Sequence, residues 1–286
     1  MGSLRAVKSV LVTGASTGIG RATALHLDAL GWRVFAGVRR EDDAASLCEA
    51  GSERLVPLML DVTDAAQIAA AAERIGAEVG AAGVDGLVNN AGIGIMGPLE
   101  TIPLDDFRRQ IDVNLTGQVA VTQAMLPLVR RATGRVVFVS SAGGRMALPF
   151  GGPYHAAKFG LEAVADSLRQ ELRPWGIEVA VIEPGSIDTP IWERAVQSYE
   201  EMAARAPAVQ EELYGKRLAN LQKGAMKTAA RGIPPEKAAE AIADALTTRR
   251  PRTRRRVGLD AQGQVLLRRL LPDRALDRLL AAFLRI

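Results

Sequence analysis

The stretch Ser9-Val-Leu-Val-Thr-Gly-Ala-Ser-Thr-Gly-Ile-Gly20 decides the fold. It opens on a short apolar run that reads as a buried strand, then passes through a glycine-rich turn into residues 20–30, whose Ala, Leu and Arg content reads as a helix. Glycines at 14, 18 and 20 let the backbone turn tightly and let a phosphate come close. The first N–H groups of the helix would face that phosphate with the positive end of the helix dipole. Gly14, Ser16, Thr17, Gly18, Ile19 and Gly20 are therefore candidate cofactor residues. The spacing is Gly-x-x-x-Gly-x-Gly, not the Gly-x-Gly-x-x-Gly of the standard dinucleotide fingerprint, and any tight strand-to-helix turn can use glycine. Its place after the first strand is what favours a dinucleotide.

Working outward, further apolar runs at 33–37, 55–60, 86–89, 134–140 and 177–182 alternate with helix-length stretches at 65–79, 104–131 and 154–173. Runs that are apolar throughout, rather than every second residue, imply strands buried on both faces. Their βαβ order predicts an α/β fold with a doubly wound parallel sheet, a Rossmann fold, in one domain over residues 1–286. Residues 186–235 interrupt the pattern with helix-forming sequence carrying Ile191, Trp192, Tyr199, Leu213, Tyr214 and Leu218. The insertion starts just past a strand's carboxyl end, where ligands bind in such sheets, so it reads as a substrate lid; a helical pair covering the sheet edge is the plain alternative. Residues 259–286 form a helical extension whose last part, 265–286, is amphipathic and cationic and is broken at Pro272. That composition suits packing on the chain itself or on a second copy, or peripheral contact with a membrane surface.

At the end of the second strand, where a carboxylate would hold the ribose 2′-hydroxyl of NAD, the sequence reads Ala36-Gly-Val-Arg-Arg40. Guanidinium groups suit a 2′-phosphate, so Arg39 and Arg40 favour NADP(H) over NAD(H), with Ser16 placed to add a hydrogen bond. An ordinary solvated helix start would also explain two arginines.

Tyr154-His-Ala-Ala-Lys158, with Ser141 thirteen residues upstream, has the residue types of a proton-transfer device. On one helix Tyr154 and Lys158 lie on the same face, one turn apart. A free phenol titrates near pH ~10, and bringing it to pH 7 needs roughly 4 kcal/mol of differential stabilisation. A neighbouring ammonium and a cationic ring would act in that direction. His155 adjoins Tyr154 but points away from it along the helix.

Composition narrows the class. Hydrophobic residues are 48% and charged residues 24%, which is ordinary globular usage. The single Cys48 excludes an internal disulfide framework, and no Cys/His cluster has metal-ligand spacing, so no metal is expected. No leader-like segment opens the chain and no apolar run approaches a membrane span, so a cytoplasmic protein is expected. The net charge of +4 is concentrated in Arg249-Arg-Pro-Arg-Thr-Arg-Arg-Arg256, which lacks the aromatic neighbours of a nucleic-acid site and reads as a solvated or subunit-facing segment.

Thr13 to Gly20, Asp61-Val62, Asn89-Asn-Ala-Gly92, Asn114, Ser141, Tyr154 with Lys158, and Pro184-Gly185 stand in an order and spacing that resembles the short-chain dehydrogenase/reductase family. The resemblance covers residues 9–190 and implies hydride transfer between a nicotinamide cofactor and a carbonyl or alcohol. It implies Tyr154 as acid/base, Ser141 bonded to the substrate oxygen, Lys158 on the nicotinamide ribose, and Asn114 supporting a water in a proton relay. Asp61 and Val62 would meet the adenine, Asn90, Ala91 and Gly92 its ribose, and Pro184, Gly185, Ile187 and Thr189 the carboxamide. Asn89 and Asn90 would serve equally as strand-end residues holding the sheet. The chain is most similar to the hydroxysteroid and retinol dehydrogenase branch, implying a bulky hydrophobic substrate, with Met146, Leu148, Pro149, Phe150, Ile191 and Trp192 as candidate lining or plain core. Rivals are an acyl or polyketide ketoreductase, for which Arg108, Arg109, Arg130 and Arg131 would supply a docking patch, and a noncatalytic dinucleotide-binding sensor. Association into a homodimer or homotetramer is expected by the same resemblance.

Overall fold

The computed structural model describes residues 7–203, 208–229 and 231–284. Residues 204–207 and 230 of the insertion and 285–286 of the tail lie outside the described residues. The elements run β1 (Ser9–Val12), α1 (Gly18–Ala29), β2 (Arg33–Val38), α2 (Glu41–Ala50), β3 (Leu55–Met59), α3 (Ala65–Val79), β4 (Gly86–Asn89), α4 (Leu104–Ile111), α5 (Gly117–Ala132) and β5 (Arg135–Val139). They continue with α6 (Gly152–Glu171), β6 (Glu178–Pro184), α7 (Ile191–Ala203), α8 (Ala208–Ala229), α9 (Pro235–Thr247), β7 (Arg254–Val257), α10 (Leu259–Leu270) and α11 (Asp273–Leu284).

All seven strands are parallel, in the order β3-β2-β1-β4-β5-β6-β7. The order reverses between β1 and β4, the point at which doubly wound sheets bind ligands beyond the carboxyl ends of their strands. Side-chain alternation along β1 shows why its sequence is apolar throughout: Val10 and Val12 enter the core under α1 and α9, while Leu11 enters the core under α3, α5 and α6. The doubly wound α/β fold expected from the alternation is therefore present, as one domain.

Three elements depart from the sequence pattern. The stretch 104–131 is two helices, α4 and α5, joined by a π turn over Asp112–Thr116 that contains the buried Asn114. The basic run at 249–256 ends in the edge strand β7 rather than in a solvated segment, because Arg254 and Arg256 meet the carboxylates of Glu162, Asp166 and Glu183. The tail folds back on its own domain through Ala261, Val265 and Leu276, leaving Leu266 and Leu270 outward. No helix among the described residues is long and apolar enough to cross a membrane.

The insertion, residues 186–235, carries α7 and α8. Its ends are tied by two parallel bonds, Ile233 N to Ser186 O (3.0 Å) and Asp188 N to Ile233 O (3.0 Å). Ile191 and Ala195 of α7 sit over Gly94, and on α8 Tyr214 packs edge-on against Phe150, ring centroids 6.0 Å apart, and bonds Glu100.

Candidate active site

The glycine turn is built for close approach. Gly14 and Gly18 have φ of +64° and +55°, where a side chain is strained. A Cβ on Gly14 would lie 2.8 Å from Ala91 Cα, one on Gly18 2.9 Å from Thr189 Cγ2, and one on Gly20 would overlap the Gly14 carbonyl. Helix α1 begins without a side-chain cap and with no acid in its first turn. Its N–H groups and dipole are thus available to an anion. Ser16, Thr17 and Ile19 are half-buried around this turn. A pyrophosphate fits such a cradle, so the residues present accept a dinucleotide.

Past β2 the two arginines differ. Arg40 is committed to Asp43 by two bonds of 3.0 Å, whereas Arg39 makes a loose ion pair, 3.9 Å to Asp61. The Arg40 bond, followed by the charges of Arg194 and Arg39, holds the Asp43 carboxyl below the usual carboxylate range. Arg194 belongs to α7, so the insertion contributes a third guanidinium to this corner. Asp61 folds into a local turn with Thr63 N and Oγ1 (2.9 and 2.7 Å), and the Val62 side chain is in the core.

From β4, Asn89 Nδ2 bonds Thr122 Oγ1 (2.8 Å) inside the domain, a purely structural tie. Asn90 instead reaches the glycine turn, its Nδ2 donating to Thr13 O (2.9 Å) and Gly14 O (3.1 Å). Gly92 is exposed beside Asn114. Asn114 clamps Ile93, accepting from its N–H (2.8 Å) and donating to its carbonyl (2.9 Å). A π turn widens the helix there and disturbs its regular hydrogen-bond ladder, a distortion frequent at functional sites.

Ser141 leaves β5 in extended backbone, and its Oγ accepts from Gly143 N at 3.0 Å. Helix α6 brings Tyr154 and Lys158 to the same place. Lys158 is buried, its Nζ donating to Val139 O (2.8 Å) and lying 5.9 Å from the Tyr154 ring centroid. Burial pushes the Lys158 ammonium down to about 8, against the opposing charge of Glu162. Burial also pushes the Tyr154 phenol up, with the Ser141 hydroxyl pulling it back. Burial is thus the largest influence on the phenol, and spacing along the helix does not report it.

His155 is structural. Leu148 N donates to its Nε2 (3.0 Å), which leaves Nδ1 to donate to Gly143 O (2.8 Å), so the ring staples the loop 143–148 to α6 in its neutral form. Burial holds its pKa below the ordinary value. Above about pH 6.5 the ring is neutral in folded and unfolded chains alike; below it, the unfolded chain takes up a proton that the folded ring refuses, and stability falls. Thermal midpoints measured from pH 8 to 5 should decline more steeply for wild type than for His155→Gln, and equal slopes would remove this role.

Pro184 at the end of β6 and Ile187 beyond it are buried, and Thr189 rests on Gly18, which brings the loop 185–189 against the glycine turn. Trp192 Nε1 bonds Ile187 O (3.0 Å), and Met146 is buried. A cleft of about 420 Å³ lies between Ala147, Leu148 and Pro149 on one side and Asp277, Leu280 and Ala281 of α11 on the other. Three of the arginines of the alternative docking patch have partners within the chain: Arg108 pairs with Asp105 (2.8 Å), Arg130 stacks over Trp175 (4.7 Å) and Arg131 bonds Gly80 O (3.3 Å). No metal-binding cluster occurs among the described residues.

Sequence reading missed Asp260, which accepts from Ser186 N (2.6 Å) and lies so close to Gly185 that a Cβ there would overlap its carboxylate. The tail helix α10 thereby fixes the loop that follows β6. No local pattern marks Asp260; only the return of the tail to β6 reveals it.

A family model described as short chain dehydrogenase matches residues 8–200. Retinol dehydrogenase 5 of Mus musculus is 39% identical over 277 residues, covering 95% of this chain and 87% of its own length. The 17-beta-hydroxysteroid dehydrogenase type 6 of Bos taurus is 40% identical over 260 residues, covering 89% and 82%. A short chain dehydrogenase from Burkholderia cenocepacia J2315, solved in complex with NADP, matches with a TM-score of 0.71 and 26% identity over 97% of each chain. This chain therefore belongs to the short-chain dehydrogenase family, in its retinol and hydroxysteroid dehydrogenase branch, as an oxidoreductase of CH–OH and C=O groups that uses a nicotinamide dinucleotide.

Proposed function

We propose that the chain is an NADP(H)-preferring oxidoreductase that interconverts a bulky hydrophobic ketone or aldehyde, steroid- or retinoid-like, and its alcohol, with Tyr154 as acid/base. The observation that carries this reading is the half-buried Tyr154 phenol, hydrogen-bonded with the Ser141 hydroxyl, with the buried Lys158 Nζ 5.9 Å from its ring centroid. When bound, a nicotinamide supplies or accepts the hydride and, in its oxidised form, a positive charge. Ser141 donates a hydrogen bond to the substrate oxygen. Tyr154 gives that oxygen its proton during reduction and removes it during oxidation, so the alkoxide charge is met in place. Lys158, anchored on Val139 O, holds the ribose hydroxyls and favours the phenolate after proton transfer. Asn114, by fixing Ile93 at the π turn, supports the water-linked route from Lys158 to solvent.

The glycine turn would take the pyrophosphate, with Asn90, Ala91 and Gly92 at the adenine ribose and Asp61 with Val62 at the base. Arg39, loosely paired, would take the 2′-phosphate, and Arg40 contributes less because Asp43 holds it. Pro184, Gly185, Ile187 and Thr189 would frame the nicotinamide, under a lid formed by α7 and α8. Support for an apolar substrate comes from Leu148, Pro149 and Phe150 before Tyr154, from Trp192, and from the names of the relatives. A panel of steroid, retinoid and aromatic ketones assayed with NADPH and NADH tests the reading. Turnover of at least one apolar carbonyl with NADPH preferred is expected, and inactivity across the panel, or a clear NADH preference, would contradict it.

A further inference from the structure

A charged cluster lies directly behind the Tyr154–Lys158 pair. Glu162 follows Lys158 by one turn on α6, so the two share a helix face, and both are buried. The cluster is assembled from across the fold. Arg254 of β7 bonds Glu162 through Nε (2.9 Å) and Asp166 through Nη2 (2.7 Å), and its Nε lies 3.6 Å from Glu183 of β6. Arg256 bonds Glu183 (3.2 Å), and Arg145 approaches Glu162 (3.8 Å) and Glu183 (3.9 Å). With Arg169, which bonds Asp166 (2.9 Å), the cluster sets four arginines against three carboxylates. Among the described residues Glu162 Oε1 and Ser140 Oγ are buried with no hydrogen-bond partner, so the carboxylate is held from the β7 side and keeps an uncommitted oxygen.

The hydride chemistry does not need this cluster, yet its cost is high. Burying two glutamates without compensation would be strongly unfavourable, and each is held by guanidinium groups from distant elements. The lysine on the other side needs an anion. Its hydrogen bond to Val139 O is to a neutral carbonyl, while burial works against its charge. The titratable and charged groups on α6 and on the elements joined to it through the cluster include Tyr154, His155 and Asp166 on α6 itself, Arg145 from the loop after β5, Glu183 from β6 and Arg254 and Arg256 from β7. The π turn adds the neutral Asn114 and an exposed Asp112 that bonds Thr116. Among the three carboxylates of the cluster, Asp166 is held by Arg254 and Arg169, and Glu183 by Arg256. Glu162 alone stands one helical turn from the ammonium.

We propose that Glu162, clamped by Arg254, is a positioning residue that keeps Lys158 protonated at the working pH. The proposal rests on the reading of Lys158 given above for its consequence in catalysis, but not for its physical content. Carbon-13 NMR of the lysine ε-carbons in the cofactor-free protein, with Lys158 assigned by its absence in Lys158→Arg, reads the ammonium directly. The wild-type midpoint is expected near 8. In Glu162→Gln it should fall by about one pH unit or more, while Glu162→Asp, which keeps the charge, should restore most of the shift. Should the Gln variant not fold, Glu162→Met removes the charge at similar volume and should shift the midpoint the same way.

A midpoint unmoved by loss of the carboxylate in a folded variant overturns the proposal, whatever happens to activity. A midpoint that falls, with the alkaline limb of NADPH-dependent ketone reduction moving down by the same interval, supports both the proposal and the catalytic reading of Lys158. A midpoint that falls while the limb stays supports the hold of Glu162 on the ammonium and overturns the catalytic role of Lys158.

Discussion

Tyr154→Phe is expected to lower kcat/KM for carbonyl reduction by about 10²- to 10⁴-fold, the range that a positioned acid contributes, while the dissociation constant of NADPH stays within about threefold of wild type. The substitution removes only the phenolic oxygen. The ring keeps its place against His155, 5.7 Å between centroids, and Lys158 keeps its bond to Val139 O, so the cofactor cradle is left standing. Kinetics alongside fluorescence titration with NADPH separates the two effects. A noncatalytic dinucleotide sensor would show cofactor binding with no turnover to lose. Loss of NADPH binding together with activity would mean that the phenol holds the site together rather than serving the reaction.

The second large effect is expected at Arg39. A hydrogen bond to a charged group is worth about 1.5–3 kcal/mol, which is roughly 10- to 150-fold in affinity. Arg39→Ala should therefore raise the KM for NADPH by about that factor and leave the KM for NADH nearly unchanged. Arg40→Ala should do much less, because both of its bonds go to Asp43. Equal losses for the two cofactors in Arg39→Ala would show that the arginine supports the loop instead of reading a 2′-phosphate.

These two sites were open to sequence reading to different degrees. Tyr154 and Lys158 are legible because a four-residue spacing on a helix leaves little freedom, and Gly14, Gly18 and Gly20 because a strand-to-helix turn that a phosphate can approach tolerates no Cβ. The six apolar strands are legible because burial on both faces leaves them mostly apolar along their length. The seventh is not: Arg254-Arg-Arg-Val257 carries guanidinium groups where a strand pattern expects apolar residues, and only the carboxylates of Glu162, Asp166 and Glu183 make it a stable edge. The pairing of Arg40 with Asp43 was readable, since the two stand three apart at a helix start. The effect of burial on Tyr154 and Lys158 was not, because desolvation depends on what covers a group and spacing reports only its neighbours.

Deuteride transfer tests the central claim most directly. NADPH deuterated at C4 in either configuration would be mixed with the protein and an apolar ketone from the panel, and the alcohol analysed by mass spectrometry in a single turnover, for wild type and Tyr154→Phe. One of the two epimers should place deuterium on the carbinol carbon, at a rate about 10²-fold or more lower in the variant. An alcohol without deuterium from both epimers, or an equal rate in Tyr154→Phe, would contradict hydride transfer with Tyr154 as the proton source.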